Sequence, residues 1–270
     1  MKDLNRLLIF DLKGNIAHFR KFYTSSSSLS YSFPPRTTLT GIIGAILGRE
    51  RDSYYEEFSA DNCRIALSVR GPIRKIMQTV NYIRTKEEDG YTTAKGVIKR
   101  FIEKQINKYP TPIELVMPSH LRGEIIYRIY FYHRDNTVMN DLYNIIKNGK
   151  SKYPVFLGLT EFLATGNFVS DVSMSNIKEI KSEKATDILT VCNADHIAEF
   201  EFVLDDKIAL QYVEEKMPLE FAVGREIKST ANFIHEKNQK PIKACLNIPF
   251  LEISYGDKDQ HIKEHITFME

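Results

Sequence analysis

The chain has 270 residues, 43% hydrophobic and 27% charged, enough to bury a substantial core in one large domain or two small ones. A formal net charge of +2 does not by itself announce a nucleic-acid binder, and no uncharged apolar run of about 18 residues or more is present to cross a membrane as a helix. Cys63, Cys192 and Cys245 lie far apart with no Cys-x-x-Cys or Cys/His ligand spacing, which predicts a reducing, cytoplasmic setting and no metal or cofactor. The charge is unevenly spread. Residues 1–108 carry 19 Lys/Arg against 11 Asp/Glu, and residues 109–270 carry 18 against 24. That asymmetry predicts one face for a polyanion and another for something else, such as protein.

In chain order, Leu7 to Leu12 reads as a buried strand ended by Lys13-Gly14. The loop after it carries Arg20, Lys21, Tyr23 and serines 25–28. Phe33-Pro34-Pro35 then leads into Arg36-Thr37-Thr38 and a helix. Leu39, Ile42, Ile43, Ile46 and Leu47 keep the spacing of one buried helix face, and Gly48 ends it. The first turn offers backbone N–H groups, two hydroxyls and a guanidinium, which together suit a phosphate. The same pattern also fits a capped core helix. Gly41 and Gly44 form a second stripe that permits a close backbone or ligand approach.

Tyr54 to Phe58 reads as a short second helix, Arg64 to Arg70 as a half-buried strand, and Ile73 to Arg84 as a long strand after the Gly71-Pro72 turn. Residues 85–112 form a polar, basic excursion in which Lys95, Lys99, Arg100, Lys104 and Lys108 stand beside Val97, Ile98, Phe101 and Ile106. Pro112 to Pro118 returns to a strand. Glu124 to His133 is the strongest strand signal in the chain. It lacks the Lys/Arg-Gly-aromatic pattern that stacks bases in ordinary RRM domains, and its apolar density predicts burial. Asn136 to Lys147 reads as a helix capped by Asn136, with Val138, Met139, Leu142, Ile145 and Ile146 facing the core.

From about Phe168 onward short strand-like runs recur, at 188–191, 199–204, 208–213, 219–223, 242–248 and 251–255. The expected fold class is therefore α+β. A ferredoxin-like domain spans residues 1–167 with a basic excursion at about 85–112, and a β-rich C-terminal region spans 168–270.

Few residues point to catalysis. His261 and His265 are close in sequence but have no third ligand nearby. Walker A, dinucleotide, nucleophile-elbow and His-Glu-x-x-His patterns are absent. Metal-independent RNA cleavage needs a base, an acid and a cation. His18, beside Arg20-Lys21, is the histidine to watch for that chemistry.

Two stretches carry a family resemblance. The first runs from Phe33 to Gly48. The second is Tyr153-Pro154-Val155-Phe156-Leu157-Gly158-Leu159-Thr160-Glu161-Phe162-Leu163. Their order and spacing resemble the Cas-five family, the CRISPR-associated RAMP subunit of type I surveillance complexes, and look closest to the type I-B branch. The resemblance implies an RRM-type fold and a non-catalytic subunit that caps the 5′ handle of the guide RNA. Its implied neighbours are the terminal backbone RAMP subunit and the large subunit, with target DNA met only indirectly. Arg36, Thr37 and Thr38 would then hold handle phosphate, and Arg20 and Lys21 would add charge. The 85–108 segment would correspond to the family's thumb, with Lys95, Lys99 and Arg100 on the guide backbone. One branch, type I-C, cleaves precursor RNA with a Tyr and an adjacent Lys and His. This chain has no Lys-His dipeptide, which argues against carrying that activity over. A metal-independent endoribonuclease is the alternative, and a protein-interaction scaffold without an RNA role is a third.

Overall fold

The computed structural model describes residues 4–24, 28–83, 86–87, 90–91, 108–120, 122–201, 210–256 and 261–270. Strand β1 (Arg6–Gly14) is followed by the short paired strands β2 (Phe19–Arg20) and β3 (Ser30–Tyr31), helix α1 (Arg36–Leu47) and strand β4 (Cys63–Val69). Strands β5 (Ile73–Ile83) and β8 (Lys108–Pro118) form a long antiparallel ribbon, with β6 (Lys86–Glu87) and β7 (Gly90–Tyr91) paired beyond its end. Strand β9 (Ile125–His133), helix α2 (Asn136–Lys147), β10 (Val155–Phe156) and β11 (Leu163–Ser173) come next. The remaining strands are β12 (Ile177–Ile180), β13 (Thr186–Ile188), β14 (Cys192–Asn193), β15 (Ile197–Phe200), β16 (Tyr212–Phe221), β17 (Ile227–Glu236), β18 (Ile242–Leu246), β19 (Phe250–Tyr255) and β20 (Ile262–Ile266).

The fold is α+β and mostly strand. Its central sheet has the order β10-β11-β1-β9-β4, with every neighbouring pair antiparallel. Alternate residues of a strand face opposite sides of a sheet, and here both sides are covered. Leu8, Phe10, Leu12, Ile65, Leu67, Ile129 and Phe131 pack with α1, α2 and with Met217 and Phe233 of β16 and β17. Leu7, Ile9, Ala66, Tyr130, Tyr132 and Val172 pack on the other side against Leu251, Ile253, Tyr255, Ile266 and Phe268. Double coverage explains why residues 7–10 of β1 and most of β9 form near-continuous apolar runs rather than alternating.

Most polar groups trapped between the central sheet and β19–β20 are paired with one another, although Arg70 Nε has no hydrogen-bond partner among the described residues. Arg128 Nε donates to Asp11 Oδ1 at 2.8 Å, and its Nη1 donates to Tyr255 Oη at 2.9 Å. Tyr130 and Tyr255 each donate a hydroxyl proton to Glu264 Oε2, which lies beside the Arg70 guanidinium. Burial pushes the Tyr130 phenol well above its ordinary range.

Helix α1 spans Arg36–Leu47, and Gly48 closes it at φ 78°, its N–H reaching the carbonyls of Ala45 and Gly44. That left-handed geometry is the one glycine adopts without strain. Helix α2 covers the expected residues, but its cap lies one position earlier than Asn136. The Asp135 carboxylate accepts the Thr137 N–H at 2.7 Å, as an N-cap aspartate should.

Other expectations about the fold also differ from the structure. Residues 54–58 form a turn closed by Phe58 N–H to Tyr54 O, not a helix. Tyr54 lies over the glycine stripe of α1, so that a Cβ at Gly44 would meet its ring at 3.2 Å. Tyr55 instead packs edge-on to Phe221. A division at 167/168 cuts through β11, which pairs with β1 from Arg6↔Ser173 to Gly14↔Ala164. Residues 168–173 therefore belong to the central sheet. Of the C-terminal runs, 199–204 and 208–213 fall partly outside the described residues, and the long strand β17 was not anticipated.

Candidate nucleic-acid interface

Pro35 sets the start of α1. It has φ −54° and ψ 156°, and its carbonyl accepts the N–H groups of Thr38 at 2.9 Å and Leu39 at 3.0 Å. No side chain caps this helix end. Each helical residue turns about 100°, so Arg36 and Thr38 point about 200° apart. Thr38 faces a cleft of about 500 Å³ and Arg36 faces the interior.

The cleft gathers residues from several parts of the chain, Tyr82 of β5 among them. Arg20 comes from β2, Pro35 and Thr38 from the start of α1, Thr111 from β8, and Gly158 and Leu159 from the segment after β10. The two sequence motifs thus meet at one place. His18 fastens the walls together. Its backbone N–H donates to Leu157 O at 3.0 Å. Its Nδ1 lies 2.8 Å from Glu114 O and its Nε2 lies 2.9 Å from Ser28 Oγ. A carbonyl only accepts, so Nδ1 carries a proton, and Nε2 is held by the Ser28 hydroxyl. Gly158 sits at φ +98°, and a Cβ there would lie 1.8 Å from His18 O. Only glycine permits that approach.

Arg36, expected to hold a phosphate, does not reach the cleft. It is 2% exposed and ion-paired with the equally buried Glu270 carboxylate. Its Nη2 donates to Phe58 O at 3.0 Å and to Cys63 O at 3.3 Å, with Cys63 Sγ at the same distance. Burial opposes the charge on Arg36, but Glu270, with Cys63 and Glu220, outweighs it and the guanidinium titrates above its usual range. Burial pushes the neighbouring Cys63 thiol up to about 12. The inward turn of Arg36 has a simple cause, since a guanidinium at the edge of a core-facing stripe takes the carboxylate that packs against it. Thr37 is buried as well, with its carbonyl accepting the Thr40 hydroxyl.

Lys21 is likewise committed. Its Nζ lies 3.2 Å from Glu215 Oε1 and over the Tyr31 ring at 5.5 Å. Lys75 Nζ lies 3.0 Å from the same carboxylate oxygen, and Ser32 N–H donates to the other at 2.9 Å. Burial works against ionisation of Glu215, but Lys75, the Ser32 N–H and Lys21 together hold its carboxyl below the ordinary range. Arg20 is exposed, with one Nη2 N–H donating to Thr24 O at 3.3 Å. Lys95, Lys99 and Arg100 lie outside the described residues.

Sequence reasoning passed over His235. It is buried against Phe33, ring centroids 5.0 Å apart, and neither ring nitrogen has a hydrogen-bond partner among the described residues. Burial pushes its pKa down to about 4, against the opposing pull of Glu215. His265 lies 3.3 Å from Glu252, and no group of three or more metal-ligating side chains occurs among the described residues. No described helix is long and apolar enough to cross a membrane.

The family model described as CRISPR-associated protein (Cas_Cas5) matches residues 7–225 of this sequence. The chain belongs to that Cas-five family. No curated protein matches it. Among solved structures, a CRISPR protein from Archaeoglobus fulgidus is similar over 97% of this chain and 100% of its own, at 11% identity and a TM-score of 0.53. A chain of a CRISPR RNA-guided surveillance complex is similar over 87% of this chain and 91% of its own, at 11% identity and 0.43. A chain of a Type III-B Cmr-beta complex bound to cognate target RNA is similar over 88% and 86%, at 15% identity and 0.44. At such identities the Archaeoglobus likeness speaks for the fold of this Cas-five chain and nothing further.

Proposed function

We propose that this Cas-five chain binds the 5′ handle of a guide RNA as a non-catalytic subunit of a type I CRISPR surveillance complex, with motifs nearest the type I-B branch. The observation that carries the reading is the meeting of both family-like motifs, at Pro35–Thr38 and Gly158–Leu159, on one cleft beside Arg20. Backbone donors at a helix start, hydroxyls and a guanidinium are the groups that hold a polyanion backbone. We read β11-β1-β9-β4 with α1 and α2 as a ferredoxin-like unit in βαββαβ order. The sheet face that an ordinary RRM offers to RNA is filled here by β19 and β20, which favours the cleft as the contact. The backbone RAMP subunit and the large subunit would be its protein neighbours, and target DNA would be met through the guide.

The His18 geometry supports the non-catalytic part. Both ring nitrogens are engaged within the protein, whereas a general base needs one aimed at the reacting hydroxyl. The test uses labelled repeat RNA and the full chain in chelator. RNA should stay intact, and binding should weaken with salt by a log–log slope of about 0.7 per phosphate contact. Cleavage that disappears in His18→Ala would promote the endoribonuclease reading. Absence of salt-sensitive RNA binding would favour a scaffold that does not hold RNA.

A further inference from the structure

We propose that Tyr82 and Tyr109 form a stacking platform for one unpaired nucleobase, on an RNA strand whose phosphate lies at Arg20. The proposal rests on the cleft being an RNA site, and it names the chemistry of the outer wall. Tyr82 lines the cleft. In the β5–β8 ribbon it stands opposite Tyr109, with Val80 opposite Thr111 and Gln78 opposite Ile113. Directly opposed residues share a face and lie about 5 Å apart at Cβ. Residues two apart on a strand also share a face, so Tyr109 continues the surface made by Thr111 and Ile113, both of which line the cleft. Along that face burial falls off outward. Ile113 is buried under the β2–β3 loop, Thr111 is half-buried, and Tyr82 and Tyr109 are 40% and 41% exposed.

Two large aromatic rings thus stand opposite each other at the outer end of the ribbon, each with about 40% of its surface exposed. A base stacks on a tyrosine face whatever its identity. The cleft then has a cationic and hydroxyl-bearing wall at Arg20 and Thr38 and an aromatic wall at the ribbon. A nucleotide presents the same two ends, a phosphate and a flat ring.

The experiment uses the full chain and single-stranded repeat RNAs in which 2-aminopurine replaces one nucleotide at a time. One position should be quenched on binding to the wild type and to Tyr82→Phe. The Tyr82→Leu/Tyr109→Leu variant keeps apolar bulk but loses both rings. It should lose that quench and bind on the order of tenfold or more weakly. An abasic RNA at the same position should cost the wild type a similar factor and cost the leucine variant little. Equal affinity and equal quench in the leucine variant would overturn the platform and leave the RNA-binding cleft standing. Absence of salt-sensitive RNA binding by the wild type would overturn both.

Discussion

The two sides of the first turn of α1 use similar chemistry to opposite ends. On one side Arg36 and Glu270 form a sealed ion pair, with Cys63 and the Phe58 carbonyl completing the guanidinium's contacts. On the other, Thr38 and Arg20 stand in an open cleft with Gly158 at its wall. A charge in the first place is spent on holding β4, α1 and residue 270 together. A charge in the second is still exchangeable with a ligand. Burial, not residue type, separates an architectural arginine from a binding one.

The largest expected effect comes from opening the sealed side. Arg36→Ala leaves the Glu270 carboxylate buried without its cation and should destabilise the chain by about 3–5 kcal/mol, read by urea denaturation. RNA affinity per folded molecule should not change. A stable Arg36→Ala protein with weakened RNA binding would reverse the comparison.

His235, packed beside Phe33 at the approach to the same turn, should make that side sensitive to acid. Its folded pKa of about 4 lies below the ordinary 6.5. The unfolded chain therefore takes up a proton that the folded chain refuses between those values, and stability falls as pH drops through that window. The loss between pH 7 and pH 5 should be about 2 kcal/mol and should be absent in His235→Leu. Glu215 acts lower still. Its depressed carboxyl stabilises the fold above the ordinary carboxylate range, and that contribution goes as pH falls through the folded value.

The smallest effects belong to the open side. Arg20→Ala should cost RNA binding about 1–3 kcal/mol and flatten the salt slope by about 0.7, while Thr38→Ala should cost about 0.5–1.5 kcal/mol and leave the slope alone. Neither should shift the melting midpoint appreciably, since surface changes usually stay within about 0.5 kcal/mol. Equal salt slopes for the wild type and Arg20→Ala would remove Arg20 from the phosphate path.

What could be read from the sequence follows the range of each interaction. Helix α1 was legible because its apolar spacing and Gly48 are local signals, and α2 for the same reason. The inward turn of Arg36 was not, because Glu270 lies 234 positions away. Helical geometry does set Arg36 and Thr38 on nearly opposite sides of the turn. The commitment of Lys21 to Glu215 was hidden in the same way. Strand β11 was missed because Gly166 and Asn167 look like a turn, although they pair with Leu12 and Asp11. Strand β17 was missed because Ser229 and His235 interrupt the side that carries Ala231 and Phe233, its two residues in the main core, while Lys228, Thr230 and Asn232 lie on the opposite face.

The double cover of the central sheet also bears on how the chain is made. Strands β1, β4, β9 and β11 are all available once residue 173 has been synthesised, yet Leu7, Ile9, Tyr130 and Tyr132 wait for Leu251, Ile253 and Phe268. At the usual pace of translation that interval is roughly 5–20 s, during which a nascent chain carries a wide aromatic surface open to the cell. Ribosome-bound chains stopped near residue 180 should therefore recruit holdase chaperones, and chains that extend past residue 270 should release them.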